Sequence, residues 1–259
     1  MEDLNLLRAR LDELDKTLIS VFEERCAIAE QVGQYKLETG KKVKDPQRER
    51  QVIEKRLTYL TRERFAGEAE ELMQTVMKLS RQIQRKLLRQ NQSAPGNGNY
   101  FLIGLPGSGK SSVGKALAKA EGMNFLDTDE EIEKKTGLTI PEIFKTRGEE
   151  EFREIESEVL REIAGTAKNT VVATGGGIVE REENRALLKK LKVFYLYRPI
   201  RQILKNRLGD RPLLKDDPKK IYALDRRRRP LYKEAASQTV GNIGEVSATV
   251  TYIQTLLDE

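Results

Sequence analysis

The stretch Gly104–Ser111 (GLPGSGKS) fits the pattern G-x-x-x-x-G-K-S, and no other feature limits this chain as strongly. An apolar run at 100–104 (YFLIG) leads into it and an amphipathic stretch, 112–120, follows. The order strand, glycine loop, helix is the context that this pattern requires. Such a loop turns backbone N–H groups toward phosphate oxygens, and the helix N-terminus adds partial positive charge. Gly107, Ser108, Gly109, Lys110, Ser111 and Ser112 are the expected nucleotide contacts. Lys110 would reach the β- and γ-phosphates of a nucleotide, and the Ser111 hydroxyl would hold Mg2+.

Further short apolar runs stand at 124–127, 170–174, 193–197 and 238–240, with amphipathic stretches between them and a last helix at about 247–257. This alternation predicts an α/β domain with a five-stranded parallel sheet covered on both faces. Asp127 and Asp129 close the second run, and Thr174-Gly175-Gly176-Gly177 closes the third. Both groups therefore fall at the carboxyl edge of the sheet, where ligands bind. One of the two aspartates is equally suited to cap the helix that follows.

Residues 1–90 follow a different grammar. Leu4, Leu7, Leu11, Leu14, Leu18, Val21, Ile28, Val32 and Tyr35 keep the spacing of a heptad seam, which predicts one long helix. A second helix is expected from Asp45-Pro46, with Asp at the N-cap and Pro at the first position, and a third from about Glu68 to Gln90. A seam this long needs a partner chain to cover it. Residues 91–99 (NQSAPGNGN) lack an apolar anchor and read as a linker, giving domains 1–90 and 100–259.

Arg25 interrupts the seam, and a buried guanidinium is costly unless it meets an anion. Lys36, eleven residues on, faces nearly the same way. Asp45 and Glu49 stand one turn apart on the second helix, and Ser80 and Gln84 are an i,i+4 pair on the third. Two cations, two carboxylates and two neutral polar groups in an apolar bundle suit a small dianion carrying hydroxyls.

Composition narrows the chemistry. The chain has no histidine, which excludes Ser-His-Asp catalysis and histidine metal sites. One cysteine, Cys26, excludes a disulfide framework and fits a reducing, cytoplasmic setting. The net charge of +6 is shared evenly by the two halves, so no nucleic-acid partner is expected. The run Arg226–Arg229 is read as a solvated helix face except at Arg228. No leader peptide or membrane span is expected.

Two resemblances follow from these residues. FLDTD (125–129), IF and GEEEFREIE (143–156), TGGG (174–177), RPLL (211–214) and RRPLY (228–232) resemble shikimate kinase over about 100–257. The resemblance implies ATP-dependent phosphorylation of the shikimate 3-hydroxyl. It implies that Asp127 orients Mg2+ through water and that Asp129 is the base. Arg153 and Arg228 would clamp the shikimate carboxylate, Glu156 would orient Arg153, and Gly175, Gly176 and Gly177 would line the pocket. Arg211 would ride on a lid over 208–217, and Arg207 would lie against adenine; the short spacing between these two arginines departs from the family pattern.

The segments LLRARLDELDKTLISVFEERCAIAEQVGQYK (6–36), VKDPQRER (43–50) and SRQIQ (80–84) resemble AroQ-type chorismate mutase over about 4–88. This resemblance implies an intertwined homodimer that rearranges chorismate to prephenate without a cofactor. Arg25 would bind one carboxylate and Arg8, from the partner subunit, the other. Lys36 and Gln84 would meet the ether oxygen, Asp45 and Glu49 the hydroxyl end, and Ser80 would add a polar contact. Arg8 and Arg25 lie seventeen residues apart and about 100° out of phase, so one straight helix cannot aim both at one ligand. The chain thus reads as a bifunctional enzyme of aromatic amino-acid biosynthesis. An alternative keeps the kinase and makes the bundle a dimerisation or prephenate-sensing module.

Overall fold

The structure is a computed structural model, which describes residues 3–90, 98–205 and 220–258. Arg207, Arg211, the expected lid at 208–217 and most of the expected linker lie outside the described residues. The chain divides into two compact units, residues 1–88 and 89–257.

The first unit is helical. Helix α1 spans Leu4–Thr39; its N-cap Asp3 accepts from Asn5 N–H, and Gly40 ends it in the left-handed conformation. Helix α2 spans Pro46–Leu57, with Asp45 as N-cap accepting from Arg48 N–H and Pro46 at the first position. A short 3-10 turn, Glu63–Phe65, leads into α3, Ala66–Gln90. The seam residues of α1 are all exposed in the single chain, Leu14 at 64% and Leu4 and Leu11 at 58%. Within the chain, α1 instead packs through an adjacent stripe of small residues. Ala29 and Gly33 are its buried positions. A Cβ on Gly33 would come within 3.2 Å of Gln84 Cγ and Leu87 Cδ2, so glycine lets α3 approach closely.

The second unit carries a parallel five-stranded sheet of order β2-β3-β1-β4-β5, from β1 (Tyr100–Ile103), β2 (Asn124–Asp127), β3 (Thr170–Ala173), β4 (Lys192–Tyr197) and β5 (Gln238–Gly241). Side chains alternate between two cores. Phe101, Ile103, Val172 and Tyr195 face one side, and Tyr100, Leu102, Val171 and Phe194 face the other. Each fully buried side chain of this size contributes about 1.5–3 kcal/mol.

The helices that bear on function are α4 (Lys110–Glu121), α5 (Thr128–Thr136), α6 (Ile140–Thr146), α7 (Gly148–Thr166), α8 (Glu182–Leu188), α9 (Ile200–Lys205), α10 (Lys220–Ala235) and α11 (Val246–Asp258). The order begins before Tyr100. Asn99, the last residue of the expected linker, is fully buried; it donates to Ala167 O and accepts from Thr170 N–H. Among the described residues, no helix is long and apolar enough to cross a membrane.

Candidate active sites

The carboxyl ends of β1, β2 and β3 converge on the first site. The glycine loop leaves β1 at the middle of the sheet and ends at Gly109, the N-cap of α4, whose φ of +95° suits glycine. Lys110 is buried, and its Nζ donates to Gly104 O at 2.8 Å and Leu105 O at 3.0 Å. Ser111 Oγ donates to Asp127 Oδ2 at 2.7 Å. The other oxygen, Oδ1, accepts from Asp129 N–H at 3.1 Å and caps α5. Asp127 is thus the helix cap that one expectation allowed, and its other oxygen is held by the loop serine. A hydroxyl and a carboxylate side by side are hard oxygen donors of the kind Mg2+ takes, and they fit that ion.

The triple-glycine turn after β3 gathers the other groups. A Cβ on Gly175 would stand 2.7 Å from both Asp129 Oδ1 and Glu156 Oε1. One on Gly177 would overlap the Arg153 guanidinium, and one on Gly176 would lie 2.7 Å from Pro106 Cδ of the phosphate loop. The expected residues Asp129, Arg153, Glu156 and Gly175–Gly177 thus meet beside the phosphate loop.

Helix α7 stacks its charges at i,i+3 and i,i+4. Arg153 Nη1 donates to Glu156 Oε2 at 2.7 Å and Nη2 to Glu149 Oε1 at 3.1 Å. Burial pushes the Glu156 carboxyl up, and the Arg153 cation pulls against that rise. Glu156 Oε1 is buried without a hydrogen-bond partner in the protein.

Arg228, 1% exposed, arrives from α10; its Nε donates to Glu180 Oε1 at 2.5 Å while Nη2 is buried and unpartnered. Tyr232 Oη donates to Gly176 O at 2.5 Å and ties α10 to the glycine turn. Two polar atoms here, Glu156 Oε1 and Arg228 Nη2, are thus buried without a hydrogen-bond partner in the protein.

The reading of the neighbouring arginines needs correction. Arg229 is not simply solvated: it pairs with Asp225 and lies over the Tyr197 ring. Arg227 donates to Glu180. Arg226 is exposed, as expected. Glu180 was not anticipated; its signal was a carboxylate three residues after the glycine turn, within reach of an arginine cluster.

The second site is a cavity of about 550 Å³ among α1, α2 and α3. Arg25, Lys36, Asp45, Glu49, Ser80 and Gln84 all line it. Arg25 Nη1 donates to Ser80 Oγ at 2.5 Å and Nη2 to Met77 Sδ at 3.4 Å. Lys36 Nζ donates to Val43 O at 2.5 Å. Gln84 is 7% exposed, and its Oε1 has no hydrogen-bond partner in the protein. Burial lowers the Arg25 guanidinium, and Arg56 adds to the fall. Burial also lowers the Lys36 ammonium; Glu49 and Asp45 oppose the fall and Arg81 reinforces it.

Arg48, Arg56, Arg81 and Glu24 line the cavity as well and were not anticipated. With them the lining holds five cations against Glu24, Asp45 and Glu49. Arg81 Nη1 pairs with Glu49 Oε2 at 2.6 Å across α3 and α2. Its signal was its place three residues before Gln84, on the same helix face. Arg8 does not line this cavity; it lies about 25 Å further along α1.

Both units match families of known proteins. The shikimate kinase family model matches residues 106–258, and the chorismate mutase type II model matches residues 7–85. The shikimate kinase of Nitrosomonas europaea is 42% identical over 167 residues, covering 62% of this chain and 78% of that protein. The bifunctional shikimate kinase/3-dehydroquinate synthase of Thermotoga maritima is 40% identical over 161 residues, 61% of this chain, which spans only 32% of that longer protein. Among solved structures, the shikimate kinase of Acinetobacter baumannii in complex with shikimate superposes with a TM-score of 0.61 and 40% identity, covering 67% of this chain and 96% of that one.

Proposed function

This chain belongs to the shikimate kinase family and carries a type II chorismate mutase domain ahead of the kinase; from that premise we propose that one polypeptide phosphorylates shikimate and rearranges chorismate to prephenate. For the kinase, the supporting observation is the glycine turn that gathers Asp129, Arg153 and Glu156 beside the phosphate loop. For the mutase, it is the cationic cavity holding Arg25, Lys36, Glu49, Ser80 and Gln84.

In the kinase site, ATP binds with its phosphates on the 104–111 loop. Ser111, and Asp127 through water, would hold Mg2+, which would screen phosphate charge. Arg153 and Arg228 clamp the shikimate carboxylate through charge-assisted bonds. Asp129 accepts the proton of the 3-hydroxyl as its oxygen bonds to the γ-phosphorus and ADP departs. Lys110 stabilises the charge on the transferring group. Arg153→Ala and Arg228→Ala are each expected to raise the shikimate KM by about 10–150-fold while the ATP KM stays near wild type. Initial rates with each substrate varied check this. A fall in ATP affinity instead would show that the clamp is misassigned.

In the mutase site, the reaction is unimolecular: the ether C–O bond breaks as a C–C bond forms. The protein holds the compact conformer and stabilises developing charge. Arg25 binds one carboxylate and the partner's Arg8 the other; Lys36 and Gln84 donate to the ether oxygen; Asp45 and Glu49 accept from the hydroxyl; Ser80 positions Arg25. A homodimer through the exposed α1 seam supplies Arg8 and covers that apolar face. One cysteine and two small polar substrates fit a cytoplasmic enzyme.

This reading has a pH signature. The Lys36 cation is lost as pH rises through a value held low by burial. Chorismate kcat/KM is expected to fall on an alkaline limb below the ordinary lysine range. Glu49→Gln removes a neighbour that raises Lys36, so the limb should move to lower pH. An unmoved limb in a pH-rate profile would separate Lys36 and Glu49 functionally.

A further inference from the structure

The phosphate loop is held from behind by a residue on none of its own elements. Asn242 follows β5 and is 2% exposed. Its backbone N–H donates to Tyr197 O at 2.8 Å, fixing it at the end of β4. Its side-chain Nδ2 donates to Ser108 O at 2.7 Å. Its Oδ1 accepts from Thr249 Oγ1, on α11, at 2.9 Å. Ser108 and Thr249 are buried too, so this chain of bonds lies inside the protein.

The consequence follows from peptide geometry. The Ser108–Gly109 peptide is planar and trans, so its C=O and N–H point in opposite directions. A carbonyl drawn toward Asn242 turns the Gly109 N–H to the opposite side of the loop. Ser108 N–H is already spent on Leu105 O, at 3.1 Å within the turn. The next peptide groups open α4, whose first N–H groups have no helical acceptor and are available to an anion. A Cβ on Gly109 would stand 2.4 Å from Asn242 Nδ2, so the same contact also demands glycine there.

We propose that Asn242, oriented by Thr249, is a positioning residue for nucleotide: it locks the Ser108–Gly109 peptide so that the Gly109 N–H is preset toward the β-phosphate. The amide performs both halves, donating to the carbonyl and accepting from the threonine, which neither an ionised carboxylate nor an apolar side chain can do. Without the lock, the loop must order its peptide planes when ATP binds, and affinity carries that cost. The proposal rests on the kinase reading and deepens it.

The test uses the full chain and four proteins: wild type, Asn242→Ala, Asn242→Asp and Thr249→Val. Initial rates give KM for ATP and shikimate, and calorimetric titration with MgADP gives nucleotide affinity directly. The ATP KM is expected to rise about tenfold in Asn242→Ala and more in Asn242→Asp, whose carboxylate accepts from Thr249 but has no proton for Ser108 O. Thr249→Val should shift it in the same direction by a smaller factor. The shikimate KM should stay within about twofold of wild type, which loss of packing alone would not spare.

Equal rises in both KM values, or an Asn242→Asp protein that binds MgADP as tightly as wild type, would overturn the lock. If Asn242→Ala does not fold, Thr249→Val decides: an unchanged ATP KM there overturns the proposal. A wild-type chain with no shikimate-dependent ATP turnover would instead overturn the kinase reading.

Discussion

Lys110→Ala is expected to lower shikimate-dependent ATP turnover by about three orders of magnitude, because the loop then lacks the cation that meets charge on the transferring phosphoryl group. The side chain is buried and held by two carbonyls of its own loop, so it is preset rather than recruited from solvent. Asp129→Asn should cost a comparable factor. It removes the proposed proton acceptor while keeping the size of the side chain beside Gly175, where a Cβ would already lie 2.7 Å from Asp129 Oδ1. In both variants chorismate turnover should stay near wild type. A coupled assay for ADP release and direct detection of prephenate on the same preparation read both numbers.

Arg8→Ala and Arg25→Ala should each leave the mutase nearly inactive, by a factor on the order of 10²–10³, since on the proposed reading each leaves a substrate carboxylate buried without its partner. Arg25 lines the cavity of its own chain, while Arg8 stands well along α1 from it. Two inactive variants unfolded and refolded together should therefore complement. A site that takes Arg8 from one subunit and Arg25 from the other is intact once in each mixed dimer. About half the dimers are mixed and each has one working site, so about a quarter of wild-type activity should return in a twofold-symmetric assembly. No recovery, with dimers confirmed by light scattering, would place both arginines in one chain's site. Kinase turnover should be unaffected throughout.

Much of this was legible in the residues because each signal was local. Glycines, a lysine and a serine at fixed spacing need only their neighbours to make a phosphate loop, and Asp45-Pro46 is a helix start on its own terms. The polar cavity could be read because Arg25 broke an apolar pattern and Lys36 faces nearly the same way. What stayed hidden depends on contacts across the chain. Arg81 looked like an ordinary charge on α3 until α2 brought Glu49 against it. Asn242 and Ser108 are separated by 134 positions, and no periodicity links them. The seam of α1 was readable as a surface needing cover, yet the face that α1 shows its own helices is marked by Ala29 and Gly33, whose small size is a packing signal that hydrophobic patterning does not register. Arg229 read as solvated because a run of four arginines conceals which of them meets Asp225.

The central claim is that one polypeptide holds two chemically independent sites, and crossing one variant of each tests it most directly. Purified wild type, Arg25→Ala and Lys110→Ala chains are each assayed for prephenate formation from chorismate and for shikimate-dependent release of ADP. The account predicts both activities in wild type, only the kinase in Arg25→Ala, and only the mutase in Lys110→Ala. Loss of both activities in either folded variant, or a wild-type chain that consumes ATP with shikimate but leaves chorismate untouched, would contradict it.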